Sequence, residues 1–240
     1  MNRNIIFLFF FLACTNNPGP DEAKTETSGK ADPIKSYKRA SGFSQDSVKK
    51  QGFLYIRDLS QLVPDENGFI EVDSIRIKAN QVTHIHLADE GVNNRSITEF
   101  PFEVFHLQNL EYLWVGMRGF EELPPEISKL KKLKELDLQH GVIKRLPENI
   151  HELENLENLC LLGSGIESLP DNLRLLTNLK ELHIGLTGLE ELPSVLFEMK
   201  QLDALILAHF KEVDGKELIL DPVEVDSLRK SLPETYIRHL

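Results

Sequence analysis

Cysteine is almost absent from this chain: two among 240 residues, Cys14 and Cys160. That excludes a disulfide framework. Basic residues are also short, 27 Lys and Arg against 38 Asp and Glu, for a net charge of −11. A protein whose main partner is nucleic acid needs a basic face, so that class is set aside. Proteins, sugars and cationic partners stay open. The apolar run Ile5–Ala13 is nine residues, too few to span a bilayer as a helix. Catalytic signatures are missing as well: there is no phosphate-cradling Gly-rich loop and no G-x-S-x-G. His151-Glu152-x-x-Asn155 lacks the second His of a zinc-protease pattern. No enzyme activity and no cofactor are expected. Tryptophan occurs once, at Trp114.

What is present is a period. From Phe100 to Asp214 the chain repeats every 23 residues, with units starting at Phe100, Leu123, Leu146, Leu169 and Leu192. A fixed period of this size means a stacked array rather than an ordinary closed core. In the second unit Leu123, Ile127, Leu130, Leu133, Leu136, Leu138 and Ile143 fall at unit positions 1, 5, 8, 11, 14, 16 and 21. Leu133-x-x-Leu136-x-Leu138 ends in a period of two, which predicts a short strand with one buried face. Pro124–Leu130 has helical or looser spacing, with Pro at a tolerated first-turn position. One unit cannot bury its apolar edge alone, so stacking into a one-dimensional solenoid is expected.

The motif L-P-x-x-[IL]-x-x-[LM]-x-x-L-x-x-L-x-[LI], seen four times with a weaker copy at Phe100, resembles the leucine-rich repeat family. The resemblance implies an α/β repeat solenoid: a horseshoe with a parallel concave sheet and short convex helices or turns. It also implies binding of other molecules, usually proteins. One departure stands out. The family's turn Asn at position 19 is replaced by Arg118, Gly141, Ser164, Thr187 and Phe210. Gly can accept the turn's backbone angles, and Ser or Thr can supply part of the hydrogen bonding.

Residues 1–13 read as a signal segment, with Arg3 ahead of the apolar run. Phe11-Leu12-Ala13-Cys14 looks like a bacterial lipoprotein signal, in which cleavage precedes the Cys and the thiol is lipidated; Phe11 stands where that family prefers Leu. Lipidation at Cys14 is therefore expected, with a membrane anchored through the N-terminal lipid. Thr15 after the Cys points to the outer membrane by analogy. Residues 14–46 are poor in large apolar side chains and read as a disordered tether.

Residues 47–81 read as an N-terminal cap, with a turn at Pro64–Gly68 and strand-like alternation over Phe69–Ile77. The repeats occupy 82–214, opening with an irregular strand at Val82-x-x-Ile85-x-Leu87. A polar loop lies within Ala88–Ser96. Residues 215–240 read as a C-terminal cap, with a helix over Pro222–Ser231 and a last strand over Thr235–His239.

Positions 13 and 15 of each unit alternate away from the core and so line the concave face. Position 13 reads His84, Tyr112, Glu135, Asn158, Glu181, Ala204; position 15 reads His86, Trp114, Asp137, Cys160, His183, Ile206. Cys160 is thus expected exposed on its strand. The only Trp is expected beside Tyr112, His86 and Asp137, with Met117 close by. Exposed aromatic clusters are the usual anchors of interfaces. The candidate partner-binding residues are His84, His86, Tyr112, Trp114, Met117, Glu135, Asp137, Asn158 and His183. The His84-x-His86 pair could hold a metal only if a third ligand converged. His titration predicts pH sensitivity near neutrality. The chain reads as a monomeric, lipid-tethered envelope protein that binds another protein without catalysis; a glycan- or peptidoglycan-binding module is the first alternative, with Tyr112 and Trp114 stacking on sugar rings, and a metal-binding or enzymatic protein using His84, His86 and Cys160 the second.

Overall fold

The computed structural model describes residues 53–56, 64–72, 75–88, 100–116, 119–207, 210–213, 216–218 and 221–239. Contacts divide the chain into Met1–Phe43 and Ser44–Leu240, and every described residue belongs to the second unit. The expected signal segment, Cys14, the tether, Met117 and most of the 88–96 loop lie outside the described residues.

Four repeats open on a Leu-Pro pair and the first on Phe100-Pro101. Pro101, Pro124, Pro147, Pro170 and Pro193 hold φ between −60° and −73° and lead into five-residue 3-10 turns at Phe102–His106, Pro125–Lys129, Glu148–Glu152, Asp171–Leu175 and Ser194–Glu198. A proline ring fixes that φ and leaves no N–H to satisfy at the entry. The spacing of positions 5, 8 and 11 explains why these are 3-10 turns and not α-helices. Ile127 lies within the turn and Leu130 and Leu133 follow it, their amides donating three residues back, to Ile127 O at 3.0 Å and Leu130 O at 2.9 Å, and all three face inward. The seven apolar positions of this repeat are 0–3% exposed.

A strand follows each turn. In chain order the strands are β1 (Phe53–Ile56), β2 (Phe69–Val72), β3 (Ile75–Lys78), β4 (His84–Ala88), β5 (Tyr112–Gly116), β6 (Glu135–Asp137), β7 (Asn158–Cys160), β8 (Glu181–His183), β9 (Ala204–Leu207), β10 (Phe210–Val213), β11 (Lys216–Leu218) and β12 (Tyr236–His239). Eight of them form one sheet in the order β1-β4-β5-β6-β7-β8-β9-β12. Every pairing in it is parallel. The repeats lock together at position 12. There the carbonyls of Glu111, Lys134, Glu157 and Lys180 each accept two consecutive amides from the next repeat. Leu113, Leu136, Leu159, Leu182 and Leu205 point from the strands into the core and are at most 1% exposed.

The ends depart from the sequence expectations in three ways. Phe69–Ile77 is not one strand: β2 and β3 pair antiparallel as a hairpin, Phe69 opposite Lys78, with Ile70 fully buried. The turn before it is an Asx turn, Asp65 Oδ1 accepting from the amides of Asn67 and Phe69 at 2.9 Å each. Next, β1 extends the sheet beyond the first irregular repeat, pairing with β4. Last, the fifth repeat does not close with a repeat-type turn. β10 and β11 form an antiparallel hairpin there, with a register shift between Phe210 and Glu212. The C-terminal helix α1 covers Pro222–Ser231 as expected. Asp221 caps it, its Oδ1 accepting from Val223 N at 2.8 Å, with Pro at the first turn and Val225 and Leu228 buried. β12 then pairs with β9 and continues the sheet. Among the described residues no helix is long and apolar enough to cross a membrane.

Candidate functional site

Register puts the candidate residues in two rows across the sheet. Along the first run His84, Tyr112, Glu135, Asn158 and Glu181; along the second, His86, Trp114, Asp137, Cys160 and His183. Neighbours in a row are separated by one strand spacing, about 4.8 Å.

The N-terminal part is a ladder of four rings. The His84 ring stacks on Tyr112 at 5.7 Å between centroids and 24°. His86 lies 5.2 Å from Tyr112 and 5.5 Å from Trp114, tilted against both. Such offset and tilted pairs suit the quadrupoles of the rings. Thr83 Oγ1 sits 2.8 Å from His84 Nδ1 and steadies that ring. The six-membered ring of Trp114 lies across the backbone of Gly116, so close that a Cβ at 116 would collide with it. A residue without a side chain is what lets the indole lie down there. Tyr112 and Trp114 both remain half-buried, with part of their surface in solvent.

Burial sets the charge of the ladder. It pulls the His84 imidazole below its ordinary pKa, against a smaller upward pull from Glu111. It brings His86 down to about 4, helped by the charge of His84. Burial thus favours the neutral form of both rings and moves the titration of His84 and His86 below the ordinary imidazole range. Burial, then the carboxylates of Asp137 and Glu135, push the Tyr112 phenol far up.

Beside the rings lies an acidic centre. Glu135 is half-buried; burial raises its pKa, a hydrogen bond with Asn158 lowers it, and Glu181 and Glu157 raise it again. Glu181 Oε2 is 3.5 Å from His183 Nε2. Asp137 is only 4% exposed. Its Oδ1 accepts from Gln139 N at 3.0 Å and its Oδ2 from Gln139 Nε2 at 2.8 Å. Asp137 thus holds the turn after β6 as well as bordering the rings.

Three positions contradict the expectation of exposure: Cys160 is 1% exposed, Ala204 3% and Asp137 4%. All three occupy the predicted rows, but in mid-sheet a small side chain such as Cys160, between Asp137 and His183, is closed over by its neighbours. His183 lies two strands beyond Asp137 and does not join the ring ladder. Among the described residues no three His, Cys, Asp or Glu side chains come together to hold a metal ion.

Sequence reasoning overlooked two features that fix this face. An amide ladder runs along position 10: Asn109 Nδ2 donates to Asn80 O at 2.6 Å, Asn155 to Lys131 O and Asn178 to Glu154 O at 2.7 Å each, and Gln201 Nε2 to Leu176 O at 3.0 Å. It joins repeats where the position-19 Asn is missing. At position 19 itself Ser164 Oγ donates to Leu161 O at 2.7 Å. Position 18 is left-handed in three successive repeats, at His140 (φ 61°), Gly163 (φ 66°) and Leu186 (φ 51°). The column of amides was visible in the sequence; the left-handed column was masked because only one of its three residues is Gly.

A parallel open sheet backed by 3-10 turns on a 23-residue register is a leucine-rich repeat solenoid. No protein-family model matches the chain, and no curated protein does. Among solved structures it is similar to a leucine-rich repeat protein of Leptospira interrogans, at 27% identity and a TM-score of 0.48 over 67% of this chain and 38% of that one. It is also similar to internalin C2 of Listeria monocytogenes, at 23% identity and a TM-score of 0.48 over 67% of this chain and 62% of that one. This chain therefore spans less than two thirds of either protein. The fold assignment rests on the register and the sheet.

Proposed function

We propose that this protein is a non-catalytic, protein-binding leucine-rich repeat module, held at the bacterial cell envelope by a lipid on Cys14 and facing its partner with the N-terminal half of the concave sheet. The observation that carries the binding face is the ring ladder. Tyr112 and Trp114 are preorganised by stacking and by the Gly116 seat, yet keep surface in solvent. Rigid aromatic side chains lose little entropy on binding and dominate interface energetics. The sheet supplies rigidity, since each strand is bonded to its neighbours across the whole array. Glu135, Asn158 and His183 set specificity around that anchor.

The test is co-purification from envelope extract with the full chain, wild type against Trp114→Ala/Tyr112→Ala. A protein retained by wild type and lost from the double variant supports the reading. Equal retention by both refutes the concave face. Retention of glycan and of no protein refutes the protein-binding reading and leaves the sugar alternative. The anchor is tested separately: Cys14→Ser should move the protein from the membrane to the soluble fraction and abolish fatty-acid labelling.

A further inference from the structure

The last strand of the sheet carries the two concave rows past the repeats. β12 pairs with β9 in an unbroken register that sets Tyr236 beside Ala204 and Arg238 beside Ile206. Tyr236 is thus the next member of the position-13 row and Arg238 of the position-15 row, and Tyr236 is 48% exposed. Among the described strands β12 ends the sheet. The Tyr236 amide donates to Asp203 O at 2.8 Å. In a parallel ladder alternate residues turn their backbone groups to the same neighbour. Tyr236 and Arg238 therefore face β9, while Ile237 and His239 turn N–H and C=O outward. Edge strands are commonly blunted by Pro or by a bulge. Tyr236–His239 contains no Pro, and its register with β9 has no bulge.

We propose that β12 pairs antiparallel with β12 of a second copy of this chain, Ile237 opposite Ile237 on a two-fold axis, so that two chains share one continuous sheet. The inference is independent of the concave-face reading above, and it replaces the monomer expected from the sequence. Self-complementarity selects the occupant. With the axis at Ile237, the two Ile237 residues exchange both backbone hydrogen bonds. Tyr236 then stands opposite Arg238 of the second copy as a non-hydrogen-bonded pair, where side chains approach closest. Symmetry makes that pair twice. An Arg against a Tyr ring is an attractive cross-strand neighbour. Moving the axis to Arg238 would set two like charges opposite each other. Moving it to Tyr236 would set Ile237 opposite Thr235, whose amide is already given to Leu232 O at 3.2 Å. Residues opposed in a sheet share a face, so both concave faces open to one side and the pair of chains presents two ring ladders. Four residues make a small contact, so association is weak and depends on concentration.

The full chain is studied as Cys14→Ser, which removes the expected lipid site and leaves only the buried Cys160 thiol. Sedimentation equilibrium at about 100 µM should give a mass approaching twice that of the monomer, and dilution to about 1 µM should return the monomer. Arg238→Glu should weaken association about tenfold. Thiols read the register. Opposed residues of a non-hydrogen-bonded pair lie about 4.5 Å apart at Cα, within disulfide reach. Tyr236→Cys mixed with Arg238→Cys should therefore cross-link under mild oxidation, while either variant alone should do so far less. The mixed pair also keeps one native Tyr236–Arg238 contact. A monomer at about 100 µM overturns the proposal. A dimer that Arg238→Glu leaves intact overturns it, and so does equal cross-linking by Tyr236→Cys alone, because each moves the contact off this register. Should Arg238→Glu unfold the chain, the cross-linking decides by itself.

Discussion

Replacing Gly116 by Ala is the sharpest way to ask whether the indole rests where the geometry puts it. A Cβ at 116 would overlap Cη2 and Cζ2 of Trp114 and stand 3.1 Å from Cζ3. Ordinary carbon contacts are about 3.5–4.0 Å, so the ring must rise by more than about 1 Å. The neighbour is the free end of a half-buried side chain rather than backbone, so it can yield. The cost is the burial that the ring gives up. An indole buries roughly 200 Å² at most, and Trp114 loses up to about half of that, some 2.5 kcal/mol at about 25 cal/mol per Å². Contact with His86 at 5.5 Å survives, leaving about 1–2 kcal/mol, or a melting temperature lower by roughly 2–8 °C. The fluorescence change should be larger in proportion: a red-shifted emission and easier quenching by acrylamide. Gly188→Ala is the control. There a Cβ would stand 3.0 Å from the carbonyl oxygens of Gly165 and Ile166, which cannot move aside. That variant should melt earlier than Gly116→Ala while its Trp114 spectrum stays native. An unchanged spectrum in Gly116→Ala would sink the seated-indole account.

Three further outcomes are expected. Gly163→Ala should cost about 1–2 kcal/mol in denaturant melts, because its φ of 66° is left-handed and an added Cβ would stand 3.1 Å from His140 Nδ1. Acidification should destabilise the fold through His86. Its folded pKa of about 4 lies below the unfolded value near 6.5, so the unfolded chain binds the proton first and stability is lost as pH falls from 6.5 toward 4; that loss, on the order of 2–3 kcal/mol, should be absent from His86→Leu, so the stability difference between wild type and variant should shrink by that amount over this pH range, and a constant difference would refute the assignment. Asn178→Ala should lower stability by about 0.5–1.5 kcal/mol, the usual net worth of one hydrogen bond, and an unchanged melt would show that the position-10 ladder contributes nothing.

The sequence carried the repeat almost completely. Positions 1, 5, 8, 11, 14, 16 and 21 are the buried set because leucine spacing encodes both the period-three turn and the period-two strand. Helix α1 was equally legible, since Asp221-Pro222 is a start signal with a mechanism. The ends were less so. β1 has an apolar run, Phe53–Ile56, but none of the Leu spacing that marks its neighbours, and the β10–β11 hairpin interrupts the 23-residue register at the end of the fifth unit. At the site, alternation assigned the rows correctly but not their exposure. Cys160 and Asp137 are closed over by side chains of the neighbouring strands, and that crowding is a property of the stack rather than of any one strand. The lowered pKa of His86 has the same origin, being a consequence of burial that a pattern of single residues does not encode.

The way neighbouring repeats hold one another has a further consequence for the ring ladder. The main contacts of each repeat are with the repeats beside it, so the array is expected to open from its ends, and protection from hydrogen exchange should be deepest around β6–β8. β4 and β5, which carry all four rings, stand just inside the edge strand β1. Their persistence is set by how often that edge frays. The β2–β3 hairpin buries Ile70 in the same core, so loosening it should speed exchange in β4 and β5 before it reaches β6–β8.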